Sequence, residues 1–179
     1  MEKIRIEGIK LSEELCQVNL VNHPHPQRSL SRVCRLFSEN RINMPFLAAT
    51  CRGRDTQMCC CVSLEDRSRA LDLLEAEPDL TPHVGVLPSV GLLSVFPHQS
   101  SIQLLGVSLV AFGEAGIPVY GVASSLAPIT LVTDYARLDE AVAALEDHME
   151  LPPNQRPIRA AVRVVQSSIT REEDGGSET

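Results

Sequence analysis

The chain has no tryptophan, and two tyrosines and four phenylalanines are its whole aromatic complement in 179 residues. That removes the stacking platforms that bind single-stranded nucleic acid and the aromatic anchors of large hot-spot interfaces. Positive charge is scarce as well: 16 Lys and Arg face 23 Asp and Glu, a formal net charge of −7. Residues 171–179 hold Glu172, Glu173, Asp174 and Glu178 against Arg171 and so carry −3 of it. The remainder is mildly acidic and offers no footprint for nucleic acid or an anionic membrane. No apolar run approaches the roughly 18 residues of a membrane span; the richest, residues 104–112, is half that. The first residues bring Glu2, Lys3 and Arg5 rather than an export signal, so a soluble cytoplasmic protein is expected.

What is present is apolar substance, 44% of the chain, enough for one generous domain or two small ones. The cysteines are Cys16, Cys34, Cys51, Cys59, Cys60 and Cys61. Consecutive residues of a strand point to opposite faces, so Cys59 and Cys60 cannot easily bridge. It reads as reduced thiols packing like small apolar side chains.

The sequence repeats itself. At an offset of 75, Phe37, Glu39 and Ile42 meet Phe112, Glu114 and Ile117, and His23 meets His98. Beyond Ala48 and Ala123 the offset becomes 71, setting Met58 against Ile129 and Ala70 against Ala141. The four extra residues of the first copy fall at Arg52-Gly53-Arg54-Asp55, a polar turn where insertions cost little. Each copy reads alike. Residues 17–21 are a short strand, followed by a polar loop. Leu30, Val33, Cys34 and Phe37 form the i, i+3, i+4, i+7 stripe of a helix on a sheet. Residues 44–51 and 56–63 form a hairpin, Leu71 and Leu74 mark a second helix capped near Ser63 and Asp66, and residues 84–87 close the unit. The second copy gives strand 91–96, helix 102–115 and strands 119–124 and 129–133. Its last helix carries Leu138, Ala141, Val142, Leu145 and Met149 on one face, with Thr133 or Asp134 as its cap.

The order β-α-β-β-α-β, twice over, predicts an α+β fold of two tandem ferredoxin-like units, antiparallel sheets with helices on one face. The first unit spans residues 12–88 and the second 89–151. The second lacks a fourth strand, which residues 3–11 or 158–166 can supply. Each sheet's other face needs polar side chains or a partner. Residues 167–179 are expected to be a disordered tail.

Residues 3–10 and 17–21 resemble the opening of the tandem ACT-domain regulatory region of aspartate kinases. Glu39-Asn40-Arg41-Ile42-Asn43-Met44 looks like that family's E-A-G-I-N-I, and Glu114-Ala115-Gly116-Ile117-Pro118-Val119 resembles it again. Residues 122–130 are similar to its I-S-T-S-E-I-K-I-S strand pair. The likeness covers roughly residues 4–151, and no kinase domain accompanies it. It implies a stand-alone regulatory or sensor protein and a homodimer. A small amino-acid-like effector would lie at interfaces between ACT units, and an amino-acid biosynthetic enzyme is a possible target. It also implies that residues 3–11 complete the second sheet, with 158–166 as an addition. By the same resemblance, ligand contacts come from the loop after strand one, the start of helix one and the start of strand two: His23, His25, Gln27, Arg28 and Asn43 around one site, and His98, Gln99, Ser100, Ser101 and Ser125 around the other.

Departures from the pattern bear on that ligand. His25-Pro26-Gln27-Arg28 stands in place of the family's D-K-P-G, so a histidine replaces the acid that would face an ammonium group, and Arg28 offers a guanidinium to a carboxylate. Pro118 replaces Asn43 in the second copy, and Leu126 replaces an acid. Ser100-Ser101 opens the second copy's helix, where a serine serves first as a cap, although free N–H groups there also suit an anion. His23-Pro24-His25 puts two imidazoles on one side of an extended chain, yet no spacing supplies a third or fourth ligand, so neither a metal nor a cofactor is expected. Ser124, Ser125 and Thr130 could join His98 only in a triad with no orienting third group. No phosphate loop or zinc-protease motif is present, and the chain does not read as an enzyme.

Overall fold

The computed structural model describes residues 3–52, 55–97 and 101–159. The chain opens with β1 (Ile4–Arg5), β2 (Gly8–Leu11) and β3 (Leu15–Val21), then α1 (Pro26–Glu39). The hairpin β4 (Phe46–Arg52) and β5 (Asp55–Ser63) leads to α2 (Arg67–Glu75) and the long β6 (Val84–Phe96). The second half holds α3 (Ile102–Glu114), β7 (Gly121–Ser124), β8 (Ile129–Asp134), α4 (Leu138–Glu146), β9 (Met149–Glu150) and β10 (Ile158–Arg159).

The two offsets found in the sequence relate these elements. α2 and α4 are both nine residues long and lie 71 apart, and β3 lies 75 before the end of β6. The match reaches single hydrogen bonds where the first helix of each unit ends. Ile42 N–H donates to the Phe37 carbonyl and Arg41 N–H to that of Ser38; Ile117 and Gly116 do the same to Phe112 and Gly113. This is the Schellman closure, in which a residue with positive φ turns the chain off the helix. Arg41 takes that role at φ 55° in one copy, and Gly116 at φ 62° in the other.

β2 and β3 lie along one line against β6. Gly8 pairs with Phe96 and Leu11 with Leu93, and Gln17 then pairs with Leu87 and Leu20 with Val84. On the first unit's side β5 and β4 continue from β3, while β8 and β7 continue from the other edge of β6. β2 thus pairs where the second unit needs its fourth strand, and β10 adds to it in parallel through Ile158 and Arg159. The remainder of the expected 158–166 strand and the 167–179 tail lie outside the described residues. β1 pairs in parallel with β9.

Two expectations are corrected. The strands expected at 84–87 and 91–96 are one thirteen-residue strand, so a division between residues 88 and 89 falls inside it. Pro88 is tolerated because the ladder to β3 shifts register there, between Leu15 and Gln17, the kind of irregularity to which proline is confined. Met149 lies not on α4 but in β9, and neither Thr133 nor Asp134 caps the helix. A 3₁₀ turn over Tyr135–Arg137 intervenes, the Thr133 hydroxyl donates to the Pro118 carbonyl, and Asp134 accepts from the Tyr120 hydroxyl.

Alternation along the strands sorts the side chains into three cores. Cys16, Val18, Leu20, Met58, Cys60 and Val62 meet Val33 and Phe37 of α1 and Leu74 of α2. Leu93, Val95, Ile129 and Leu131 meet Leu104 and Phe112 of α3 and Leu138 and Leu145 of α4, with Ile6, Ile9 and Leu11 completing that core. The faces without helices bury each other: Leu15, Phe46 and Cys61 of one unit pack with Val90, Leu92 and Val132. The partner each open face requires is therefore the other unit. The fit is close at Gly121, where an added Cβ would stand 3.1 Å from Val132 and 3.3 Å from Phe46.

Candidate functional site

β3 ends because Asn22 adopts φ 55°, a conformation Asn tolerates better than most residues. The loop that follows carries His23, Pro24 and His25 to the start of α1. His25 is the N-cap residue, yet its side chain makes no capping bond, and no acid lies in the first turn. Pro26 occupies the first turn, where it has no N–H to lose. The positive end of a fourteen-residue helix therefore lacks side-chain neutralisation from its own turn.

Beside this helix end is a cleft of about 560 Å³, within the usual range for a small-molecule site. One wall is His23, His25 and Arg28. The other comes from the segment joining α2 to β6 and includes Glu77, Asp79 and His83. The two walls meet because Leu20 at the end of β3 pairs with Val84 at the start of β6. Arg32, one turn beyond Arg28, clamps Glu77 with two hydrogen bonds of 3.0 and 2.6 Å. That pair pushes the Arg32 guanidinium above its ordinary pKa.

His23 is 5% exposed, and its Nδ1 accepts the His25 backbone N–H at 3.0 Å. The neutral ring therefore carries its proton on Nε2. His83 stands edge-on to it with centroids 5.0 Å apart, and its Nδ1 lies 3.1 Å from the Val21 carbonyl. A carbonyl only accepts, so His83 has the opposite tautomer and leaves Nε2 as an acceptor.

The structure thus brings His23, His25 and Arg28 together, and it does not bring Gln27 or Asn43 to them. Gln27 is exposed on the first turn of α1 and does not line the cleft. Asn43 lies beyond the far end of α1, roughly 20 Å away at 1.5 Å per residue. Of the second group, His98, Gln99 and Ser100 lie outside the described residues. Ser101 caps α3 by accepting the Leu104 N–H at 3.2 Å and lines a smaller hollow of about 320 Å³ beside Ile4 and Glu7. Ser125 closes the β7–β8 turn, its hydroxyl donating to the Pro128 carbonyl. Sequence reasoning missed Arg32, Glu77, Asp79 and His83. For Arg32 the i, i+4 spacing from Arg28 was a usable signal; the other three lie about fifty residues away and become neighbours only through strand pairing.

Burial pushes the thiols of Cys59 and Cys60 up to about 11 and about 12 and raises Cys61 further, so these are packing residues rather than nucleophiles. Among the described residues no group of three or more His, Cys, Asp or Glu side chains is placed to hold a metal, and no helix is long and apolar enough to cross a membrane.

No family model matches the chain. The regulatory subunit of aspartate kinase from Thermus thermophilus, in its ligand-free form, superposes with a TM-score of 0.72 at 18% identity. The match covers 81% of this chain and 99% of that subunit. The chain has the tandem ACT fold of aspartate kinase regulatory subunits. The corresponding subunit from Thermus flavus gives a TM-score of 0.71 at 19% identity, over 81% and 99% of the two chains. An aspartokinase of Bacillus sp. (strain MGA3) is 23% identical over an alignment of 155 positions that covers 84% of this chain. The chain spans 38% of that relative's length.

Proposed function

We propose that this chain is a regulatory protein, not an enzyme, that binds a small amino-acid-like ligand. The observation that carries the reading is the cleft at the start of α1, which sets Arg28 and an uncapped helix end opposite Asp79 in a fold shared with aspartate kinase regulatory subunits. Arg28 holds a carboxylate and the opposite wall accepts an ammonium group. A second copy in a cytoplasmic homodimer brings Asn43 to the site, since one chain keeps it a helix length away. Control then works by linkage: ligand held at the contact between units favours the arrangement that forms the contact, and an amino-acid biosynthetic enzyme reads the change. Thermal unfolding in the presence of each of the twenty amino acids is the test. A ligand at a hundredfold excess over its Kd adds about 2.7 kcal/mol; a flat response to all twenty removes the sensing role.

A second reading, a ligand-free interaction module, is favoured by α3. Residues 102–113 carry no charge, and Ile102, Leu109 and Val110 are exposed on the helix. Such a helix is ordinarily covered. On this reading no amino acid raises the melting temperature, while Val110→Lys abolishes association seen by sedimentation.

A further inference from the structure

The amino-acid reading leaves one chemical question open, because the loop carries a histidine, His25, where the aspartate kinase pattern it resembles has an acid. We infer that Asp79, with His83, forms the ammonium subsite, so that both charged ends of the ligand are held within a single chain. The inference rests on the amino-acid reading of the cleft and adds the residues that select the ligand.

The donors lie on one wall. The Arg28 guanidinium has no hydrogen-bond or ion-pair partner among the described residues. His23 is buried, its Nδ1 is committed to the His25 N–H, and its Nε2–H donor has no partner among the described residues. His23 lines the cleft, so that N–H is a donor available to a ligand oxygen there.

The acceptors lie on the other wall. Glu77 is occupied by Arg32 through both carboxylate oxygens. Asp79 is exposed and forms no ion pair among the described residues, although Arg32 feels its charge. His83, its Nδ1 turned to Val21, keeps Nε2 as an acceptor beside it. Arg32 and Glu77 neutralise each other, which leaves Arg28 on one wall and Asp79 on the other as the uncompensated charges of the cleft. A zwitterion matches that arrangement. A phosphate would meet the same cations but also two carboxylates, one of them unpaired.

The test uses the full chain and isothermal titration with L-alanine and, in parallel, propionate, which lacks the ammonium group; if alanine is silent, the amino acid that gives a thermal response is used with its own des-amino acid. In the unaltered protein the amino acid binds at least tenfold more tightly. Asp79→Asn collapses that ratio towards one by weakening the amino acid alone, whereas Arg28→Gln weakens both probes together. Asp79→Glu restores part of the ratio, which a merely structural role would not do. A ratio unmoved by Asp79→Asn overturns the inference and leaves the amino-acid reading standing. Silence towards all twenty amino acids overturns that reading, and the inference with it. Inorganic phosphate binding more tightly than any amino acid also overturns the inference.

Discussion

Cys60 and Cys61 are neighbours with opposite loyalties, one packed under α1 and α2 and the other in the seam between the units. Neither thiol is easily ionised, with Cys60 raised from 9.0 to about 12. An unfolded thiol gives up its proton near pH 9 while the folded one keeps it, so above that pH deprotonation favours the unfolded chain and stability falls as pH rises. Urea midpoints between pH 8 and 10.5 should decline less steeply for Cys60→Val than for the parent. Gln17 sits in the same seam. Its Nε2 donates to Asn19 Oδ1 and the Tyr120 carbonyl, while its buried Oε1 has no partner among the described residues. Gln17→Met should therefore raise the unfolding free energy by about 1 kcal/mol, measured in urea; a loss of similar size would mean the two donated bonds outweigh the orphaned oxygen. At this scale the sequence was readable where a residue's role is local. His23, His25 and Arg28 share one loop and helix start, and the pair Ser100-Ser101 offers a cap by position, the role Ser101 takes. Asp79 and His83 were invisible because their relevance depends on which strand lies beside β3.

The ends of α1 and α3 provide a natural comparison at the scale of elements. The two terminations make the same hydrogen bonds, but one puts arginine and the other glycine at positive φ. A side chain in that conformation costs roughly 1 kcal/mol. Arg41→Gly should stabilise by about that amount, and Gly116→Ala should destabilise by as much. Space is not the issue for Gly116, since an added Cβ meets nothing within 4 Å. Chemical denaturation of the pair checks both signs. Elements were the most legible level of the sequence: the helical stripe at Leu30, Val33, Cys34 and Phe37 and the two offsets reproduce α1, α2, α3 and α4 closely. Periodicity failed at β6, because a proline looks like a terminator to a reader who cannot see the register shift that accommodates it.

For the whole molecule, the two units have separate helix-covered cores but a common ribbon and a common seam. Ile9, from the first strands, is 1% exposed in the core of the second unit. Ile9→Ala should cost about 2–4 kcal/mol and shift a single unfolding transition, monitored by circular dichroism; two separated transitions would show that the seam does not couple the units. Tandem architecture was legible because duplication leaves identities at fixed spacing. The burial of one open face by the other was not, since apolar alternation shows that a face is covered without showing by what.

The pairing of Leu11 with Leu93 also sets a timetable for synthesis. The opening strand leaves the ribosome 82 residues ahead of its mate, a wait of about 4–16 seconds at roughly 5–20 residues per second. During that interval the first unit can collect its own strands, helices and core up to β6, while Ile6, Ile9 and Leu11 stay without the core that buries them. Nascent chains halted between residues 60 and 90 should be the ones that chaperones grip, and they should grip them at residues 6–11.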